Sequence, residues 1–403
     1  MIRRLIICID VPSSRHFPEK KGKNLMRLKA FALCLMTGFA TSAVAQDSTQ
    51  SLQHALKQIP QAVLTAPEAM QIFFVDTQAW RGLEKNGPSA DGMRRLAMAQ
   101  WISPLQSIGY GLDQWSANAK IPFDDVLYFA AFGQTPGTIT YWGLKDSKSL
   151  GTLVDHLKQA DFSAVDGDVP GVLANGEANK MDMKKANPRD PWRGTMGKAS
   201  FVLPLDTALV QAAAPTGMKL LAKPSPSVAD SDVVGASVAG LKDAVSSDHG
   251  QIVQAAVISP VLGLEGVDPA KVLPANPKDI EAAKRNLQAA VESSRRGIPP
   301  YFSGIIADAQ INNVPAVVIS LAYADCATAK QAVDGIGAAW KESMAGVVEA
   351  KVSGRTVQAG SLCAAVVSMV SPKAENAGNP ILSQVMTRYM QRNFSVLQIG
   401  SSR

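Results

Sequence analysis

The nearest approach to a nucleophile signature in this chain is Gly235-Ala236-Ser237-Val238-Ala239-Gly240, and its spacing fails the chemistry. A nucleophile elbow needs G-x-S-x-G on a sharp strand-to-helix turn, so that the hydroxyl projects from the bend. Here the second glycine falls one residue late, and Val234, Val238, Leu241 and Val245 stripe a single helix, which makes Ser237 a small packing residue. Of the four histidines, His54, His156 and His249 lie beyond residue 45, and none is spaced from another to chelate a metal on one helix face. HExxH, CxxC, P-loop and dinucleotide fingerprints are all missing from the sequence, so no catalytic residue, metal site or cofactor is expected. Paired acids at Asp124-Asp125 and Asp166-Gly167-Asp168 could serve acid-base work or Ca²⁺. Neither belongs to a complete calcium loop: Asp124 and Asp125 precede a strand after Pro122, and Asp166-Gly167-Asp168 reads as a turn.

The most distinctive chemistry lies in residues 177–198, which carry Lys184, Lys185, Arg189, Trp192 and Arg193 around Pro188 and Pro191. Mixed charge with one tryptophan is the composition of a loop that grips a ligand or partner, because Trp supplies contact area and Arg directional hydrogen bonds. The plainer alternative is a surface excursion whose Trp192 tucks back onto the fold. A weaker candidate is Arg295-Arg296, ahead of Pro299-Pro300-Tyr301.

The N-terminal region sets the compartment. Arg27 and Lys29 precede the apolar run AFALCLMTGFA, and Ala43-Val44-Ala45 gives the small-x-small pattern of a signal cleaved between Ala45 and Gln46. Residues 26–45 therefore read as a signal peptide starting at Met26, and residues 1–25 as an upstream extension. The apolar run is too short for a spanning helix, so no stable membrane span is expected after cleavage, and the destination is the periplasm. Of 40 Lys/Arg and 34 Asp/Glu, the first 45 residues hold 8 and 2, which leaves 32 of each. A formally neutral mature chain argues against a nucleic-acid partner. Beyond residue 45 only Cys326 and Cys363 remain, a candidate disulfide in an oxidising compartment.

These residues must be positioned by an α+β scaffold. Residues 126–133 and 138–144 form a hairpin pattern, Asp146 stands at a helix N-cap position, and Leu150, Leu153, Val154 and Leu157 stripe the helix that follows. The same order returns as 305–311, an Asn312-Asn313 turn, 316–323, Asp325, and a helix with Ala329, Ala332, Val333, Ile336 and Trp340. A shift of 179 residues overlays the two without a gap, Pro136 on Pro315, Asp146 on Asp325 and Leu157 on Ile336. Strands then follow each helix, at 169–174 and 199–212 and at 347–352 and 356–370. The expectation is two related β-hairpin-helix-strand units, pseudo-duplicated, forming antiparallel sheets each covered on one face by helices. The lobes would span 46–222 and 230–403 with a Pro/Ser linker at 223–229. Further helices are expected near 51–58, 280–291 and 381–390, and strands at 71–75 and 251–258.

Such a chain reads as a non-enzymatic exported protein that binds an envelope protein through the 177–198 loop or the C-terminal helix. A small-molecule binder with a site between the lobes, or a hydrolase with dispersed residues, are the alternatives.

Overall fold

The computed structural model describes residues 48–402 except 97, 99–101, 135–136, 247–249, 265–280, 282–284, 286–295, 376 and 392–393. The cleavage site at Ala45 and Gln46, His249, Arg295 and the 280–291 helix lie outside these residues. The described residues form one compact unit.

Its frame is a single 12-stranded antiparallel sheet. In chain order the strands are β1 (Met70–Asp76), β2 (Val126–Phe132), β3 (Ile139–Leu144), β4 (Ser163–Ala164), β5 (Leu173–Ala174), β6 (Phe201–Leu205), β7 (Ala208–Ala212) and β8 (Gln251–Ile258). A short β9 (Arg296–Gly297) precedes β10 (Gly304–Ile311), β11 (Val314–Tyr323), β12 (Lys351–Ala359), β13 (Leu362–Val370) and β14 (Ser401–Ser402). The sheet runs β12-β13-β11-β10-β8-β1-β2-β3-β7-β6-β5-β4, while β9 and β14 pair separately in parallel. At its centre β1 and β8 pair antiparallel, with Phe73 opposite Ala256 and Phe74 opposite Ala255. The expectation of separate sheets therefore gives way to one sheet that crosses the 223–229 segment. That segment is itself held to the fold, since Gln61 N donates to Pro226 O and Val228 N to Ile59 O, both at 2.8 Å.

Helices cover both faces of this sheet, not one. Six lie with one face: α2 (Thr77–Gly82), α3 (Ala90–Arg95), α4 (Ser103–Ile108), α5 (Trp115–Ala119), α6 (Ser147–Ala160) and, after the central strands, α8 (Cys326–Ser343). The tail helix α9 (Pro380–Met390) joins them through Ile381, Leu382, Val385 and Met386, so its apolar face is buried. The opposite face carries α1 (Ser48–Gln58) and α7 (Asp232–Ser246). Alternation along each strand divides the core accordingly. Phe73 and Val75 of β1 pack in the first layer and Ile72 and Phe74 in the second; Val317, Ile319 and Leu321 of β11 separate in the same way from Ala316 and Val318. Strands buried on both sides read as near-continuous apolar runs, and every residue of β1 and β10 is buried.

Local signals account for the element ends. Asp146 and Asp325 cap α6 and α8 by accepting from Ser149 N and Thr328 N, each at 2.7 Å. Asn312 and Asn313 both take positive φ, 52° and 61°, as a two-residue primed hairpin turn requires. Gly240 lets α7 lie flat on the sheet, since a Cβ there would stand 2.4 Å from Ser320 Oγ and 2.7 Å from Ala364 Cβ. Ser237, one turn earlier, is fully buried with Oγ donating to Val233 O and Ser303 O, which makes it a packing residue. Cys326 at the start of α8 and Cys363 on β13 stand at disulfide distance, Cα atoms 5.1 Å apart. Among the described residues no helix is long and apolar enough to cross a membrane.

Candidate functional site

Between β5 and β6 the chain leaves the sheet at Asn175 and returns at Ser200, forming an arm over the end of the first layer. Its base is fixed by Trp192, which is buried and stacks face to face on Trp142 of β3, centroids 4.5 Å apart and planes 8° from parallel, with Phe162 edge-on at 5.8 Å. Trp142 Nε1 donates to Gln211 Oε1 of β7 at 2.9 Å, and Gln211 Nε2 donates to Pro191 O and Ser200 Oγ, both at 2.9 Å. Ser200 Oγ donates onward to Trp192 O at 2.6 Å. Arg193 is buried too, its Nη2 bound to the Asp161 carboxylate and to Asn175 O.

The five charged or aromatic residues expected to act together are thus divided. Trp192 and Arg193 turn inward. Arg189 reaches Asp113 at 3.4 Å along the edge. Lys184 and Lys185 sit exposed on a tight turn that Asp182 caps through Lys184 N at 3.0 Å. Asp190 accepts from Trp192 N at 2.8 Å, and burial raises its carboxyl pKa despite that bond.

Beneath the arm lies a cleft of ≈ 410 Å³. Pro188, Asp190, Thr195 and Met196 form its arm side, Ser103 and Gln106 of α4 the opposite wall, Thr138 and Thr140 with Gln211 the floor, and Met390 of α9 one rim. Thr140 and Gln211 face each other across the β3–β7 pairing. Among the described residues two buried polar atoms of this lining, Trp192 Nε1 and Thr138 Oγ1, have no hydrogen-bond partner.

The other sequence candidates are engaged locally. Asp124 pairs with Arg81, and Asp168 pairs with Lys219 at 2.7 Å, which holds its carboxyl below the usual range. His156 is exposed and contacts Lys120 O at 2.9 Å, while His54 contacts Gln58 and Thr207. Among the described residues no group of three or more His, Cys, Asp and Glu could hold a metal ion.

Sequence reasoning missed one buried polar centre. Arg95 of α3 and Asp308 of β10 form an ion pair whose side chains are fully shielded from solvent. Asp308 accepts from Arg95 Nε at 3.0 Å and Nη2 at 2.9 Å, from Gln254 Nε2 at 2.9 Å, and from Asn379 Nδ2 at 2.7 Å. Asn379 is also the N-cap of α9, accepting from Leu382 N at 3.1 Å. A lone carboxylate inside the apolar run of β10 was the available signal.

No protein-family model and no curated protein matches this chain. A solved structure described as crystal form I of TP0453 aligns over 82% of this chain and 98% of that chain with 7% identity and a TM-score of 0.31, a likeness too low to inform fold or site.

Proposed function

We propose that this chain is an exported, non-enzymatic binding protein of the periplasm, released by cleavage after Ala45, and that a small neutral ligand occupies the cleft beneath the 175–200 arm. The observation that carries this reading is the pair of unpartnered polar atoms in the lining, Trp192 Nε1 and Thr138 Oγ1. Buried polar groups without partners are costly, and a ligand carbonyl or hydroxyl would relieve both. The volume fits a small molecule. Gln211, Ser200 and Arg193 are already committed to bonds within the protein, so they shape the cleft and leave no free base or nucleophile chain among themselves.

The duplication belongs to the same reading. The orders β1-β2-β3-β7-β6 and β8-β10-β11-β13-β12 run outward from the centre in the same sense, and the ends of both hairpin strands and the start of the helix keep the 179-residue offset, Phe132 with Ile311, Leu144 with Tyr323 and Ser147 with Cys326, which supports a duplicated unit. In the second half the segment ahead of β12, the strand that corresponds to β6, runs only from Met344 to Ala350 and leaves no room for a counterpart of the arm. The cleft is then an acquisition of the first half, with Met390 the contribution of the second.

The test is native mass spectrometry of the chain recovered from the periplasm. A mass above that of the denatured polypeptide, lost when Gln106→Trp and Thr195→Trp together fill the mouth, is the expected result. A bare chain whose tryptophan emission ignores a panel of neutral periplasmic metabolites would overturn the reading and turn attention to a protein partner on the Lys184 and Lys185 surface.

A further inference from the structure

Three charged side chains line the cleft beneath the arm: Asp190, Arg193 and Lys198. Arg193 is already committed, its Nη2 bound to the Asp161 carboxylate and to Asn175 O. The other two stand at opposite ends of the arm segment 190–198 and lack a counter-charge. Asp190 Oδ1 accepts from Trp192 N at 2.8 Å, yet among the described residues no cation pairs with its carboxylate. Lys198 is half-buried, held in the wall by its backbone N on Arg193 O at 2.9 Å, and among the described residues its ammonium pairs neither with Asp190 nor with any other carboxylate. Shielding a charge from water without a partner is costly. The same lining holds the unpartnered Trp192 Nε1, which can only donate, and Thr138 Oγ1, which can donate or accept.

We propose that the ligand of this cleft is a zwitterion of the α-amino-acid type, a free amino acid or a dipeptide, whose carboxylate is met by Lys198 and whose ammonium is met by Asp190. The inference rests on the cleft being a ligand site and names the class of ligand. Such a molecule carries no net charge, yet supplies one counter-charge of each sign. Its carboxylate accepts only, as the Lys198 ammonium and the Trp192 indole N–H require; its ammonium donates only, as Asp190 requires. A polyol or a simple amide would leave both charges uncompensated, and a purely anionic or cationic ligand would match one and repel the other. A cleft of ≈ 410 Å³ lies within the range that encloses small molecules. Met196 and Met390 also line it, both exposed, and such flexible thioethers adapt to an apolar ligand side chain. Burial raises the Asp190 pKa against the backbone bonds from Trp192 and Arg193; of the charges it feels, Arg193 favours ionisation and Asp161 opposes it. A ligand ammonium would supply the cation that the protein withholds.

The probes are the free L-amino acids and the dipeptide alanyl-leucine, each compared with its N-acetyl and its C-terminal amide derivative, titrated calorimetrically into the exhaustively dialysed chain. The expected result is one equivalent of at least one apolar member bound, with acetylation and amidation each weakening binding at least tenfold, about 1.4 kcal/mol. Lys198→Gln should lose that affinity and its sensitivity to amidation, and Asp190→Asn should lose it together with its sensitivity to acetylation. Because Asp190→Asn removes a buried charge and should not destabilise the fold, its lost binding cannot be read as unfolding. Affinity in the unaltered chain should fall as pH drops through the folded-state pKa of Asp190, a dependence that Asp190→Asn abolishes. Blocked derivatives that bind as tightly as their parents, or an uncharged molecule held in the cleft that no zwitterion displaces, would overturn this inference and leave the cleft reading standing. A chain that binds none of these probes and no neutral metabolite would overturn both.

Discussion

Replacing Arg95 by Met removes the guanidinium from a space in which neither it nor Asp308 touches solvent. Of the four donors on the Asp308 carboxylate, Arg95 Nε and Nη2 vanish, and only the neutral amides of Gln254 and Asn379 remain. The side chain also bonds Gln310 Oε1 at 2.9 Å and the backbone of Ala309 and Gly378 at 3.3 Å. Breaking one partner of a buried pair typically costs about 3–5 kcal/mol, because the stranded charge keeps its desolvation penalty. The same loss is expected for Asp308→Leu alone. The double variant Arg95→Met with Asp308→Leu strands no charge and should recover most of the loss, although Gln254 and Asn379 then each lose an acceptor, at about 1 kcal/mol apiece. Urea unfolding is the assay, with the denaturant slope checked for constancy so that a shifted midpoint reads as stability. Because the pair is dry, the single-variant loss should barely change between low and high salt. A loss below about 1 kcal/mol in Arg95→Met, or a double variant as unstable as the sum of the singles, would refute the reasoning.

Three further outcomes follow from the same geometry. Replacing Cys326 and Cys363 by Ser opens a 37-residue loop and should cost about 4 kcal/mol under the chain-entropy account, read as a shift in unfolding midpoint that reductant reproduces in the unmodified chain; no reductant effect would mean the pair is not bridged. Trp192→Ala removes the stack on Trp142 and should cost about 3–5 kcal/mol. It should also expose residues 177–198 to limited proteolysis, whereas an unchanged digestion pattern would mean that the arm is held elsewhere. Asp190→Asn tests a titration: burial raises the folded-state pKa, so the folded protein takes up the proton more readily than the unfolded chain and loses stability as pH rises through the folded-state pKa. Asp190→Asn should flatten that decline and be relatively more stable at neutral pH; an unaltered pH profile would refute it.

Much of the frame was legible because local chemistry decided it. Asp146 and Asp325 capped the helices they precede, Asn312-Asn313 made the hairpin turn, and residues 251–258 became β8 with the bounds their pattern gave. Residues 169–174 gave strand only at Leu173–Ala174, because tertiary packing outweighed a weak local pattern. The joining of two expected sheets into one depended on β1 meeting β8, a pairing such as Phe73 with Ala256 between residues far apart in the chain that no local period encodes. Covered faces were legible in hindsight: β1 and β10 lack the polar alternation that a solvated face would demand. At the site, Trp192 and Arg193 were found by type, and the alternative in which Trp192 tucks back onto the fold matches its burial, but a loop rich in charge gave no sign that Arg193 turns inward with it.

A sheet covered on both faces also limits where binding can occur. With α1 and α7 on one side and α2 to α6, α8 and α9 on the other, neither face offers an open strand surface at its centre. What remains are the edges, β12 and β4, and the insertions that leave the sheet. The arm is an insertion with a rigid base and an exposed outer side: the stack of Trp192 on Trp142 and the Gln211–Ser200 bonds fix one end, while Met181, Met183, Lys184 and Lys185 face solvent at the other. A fixed base holds the cleft wall in place before a ligand arrives, which lowers the ordering cost of binding. Substitution of Lys184 or Lys185, exposed on a turn that neither lines the cleft nor fixes its base, should therefore leave the cleft intact.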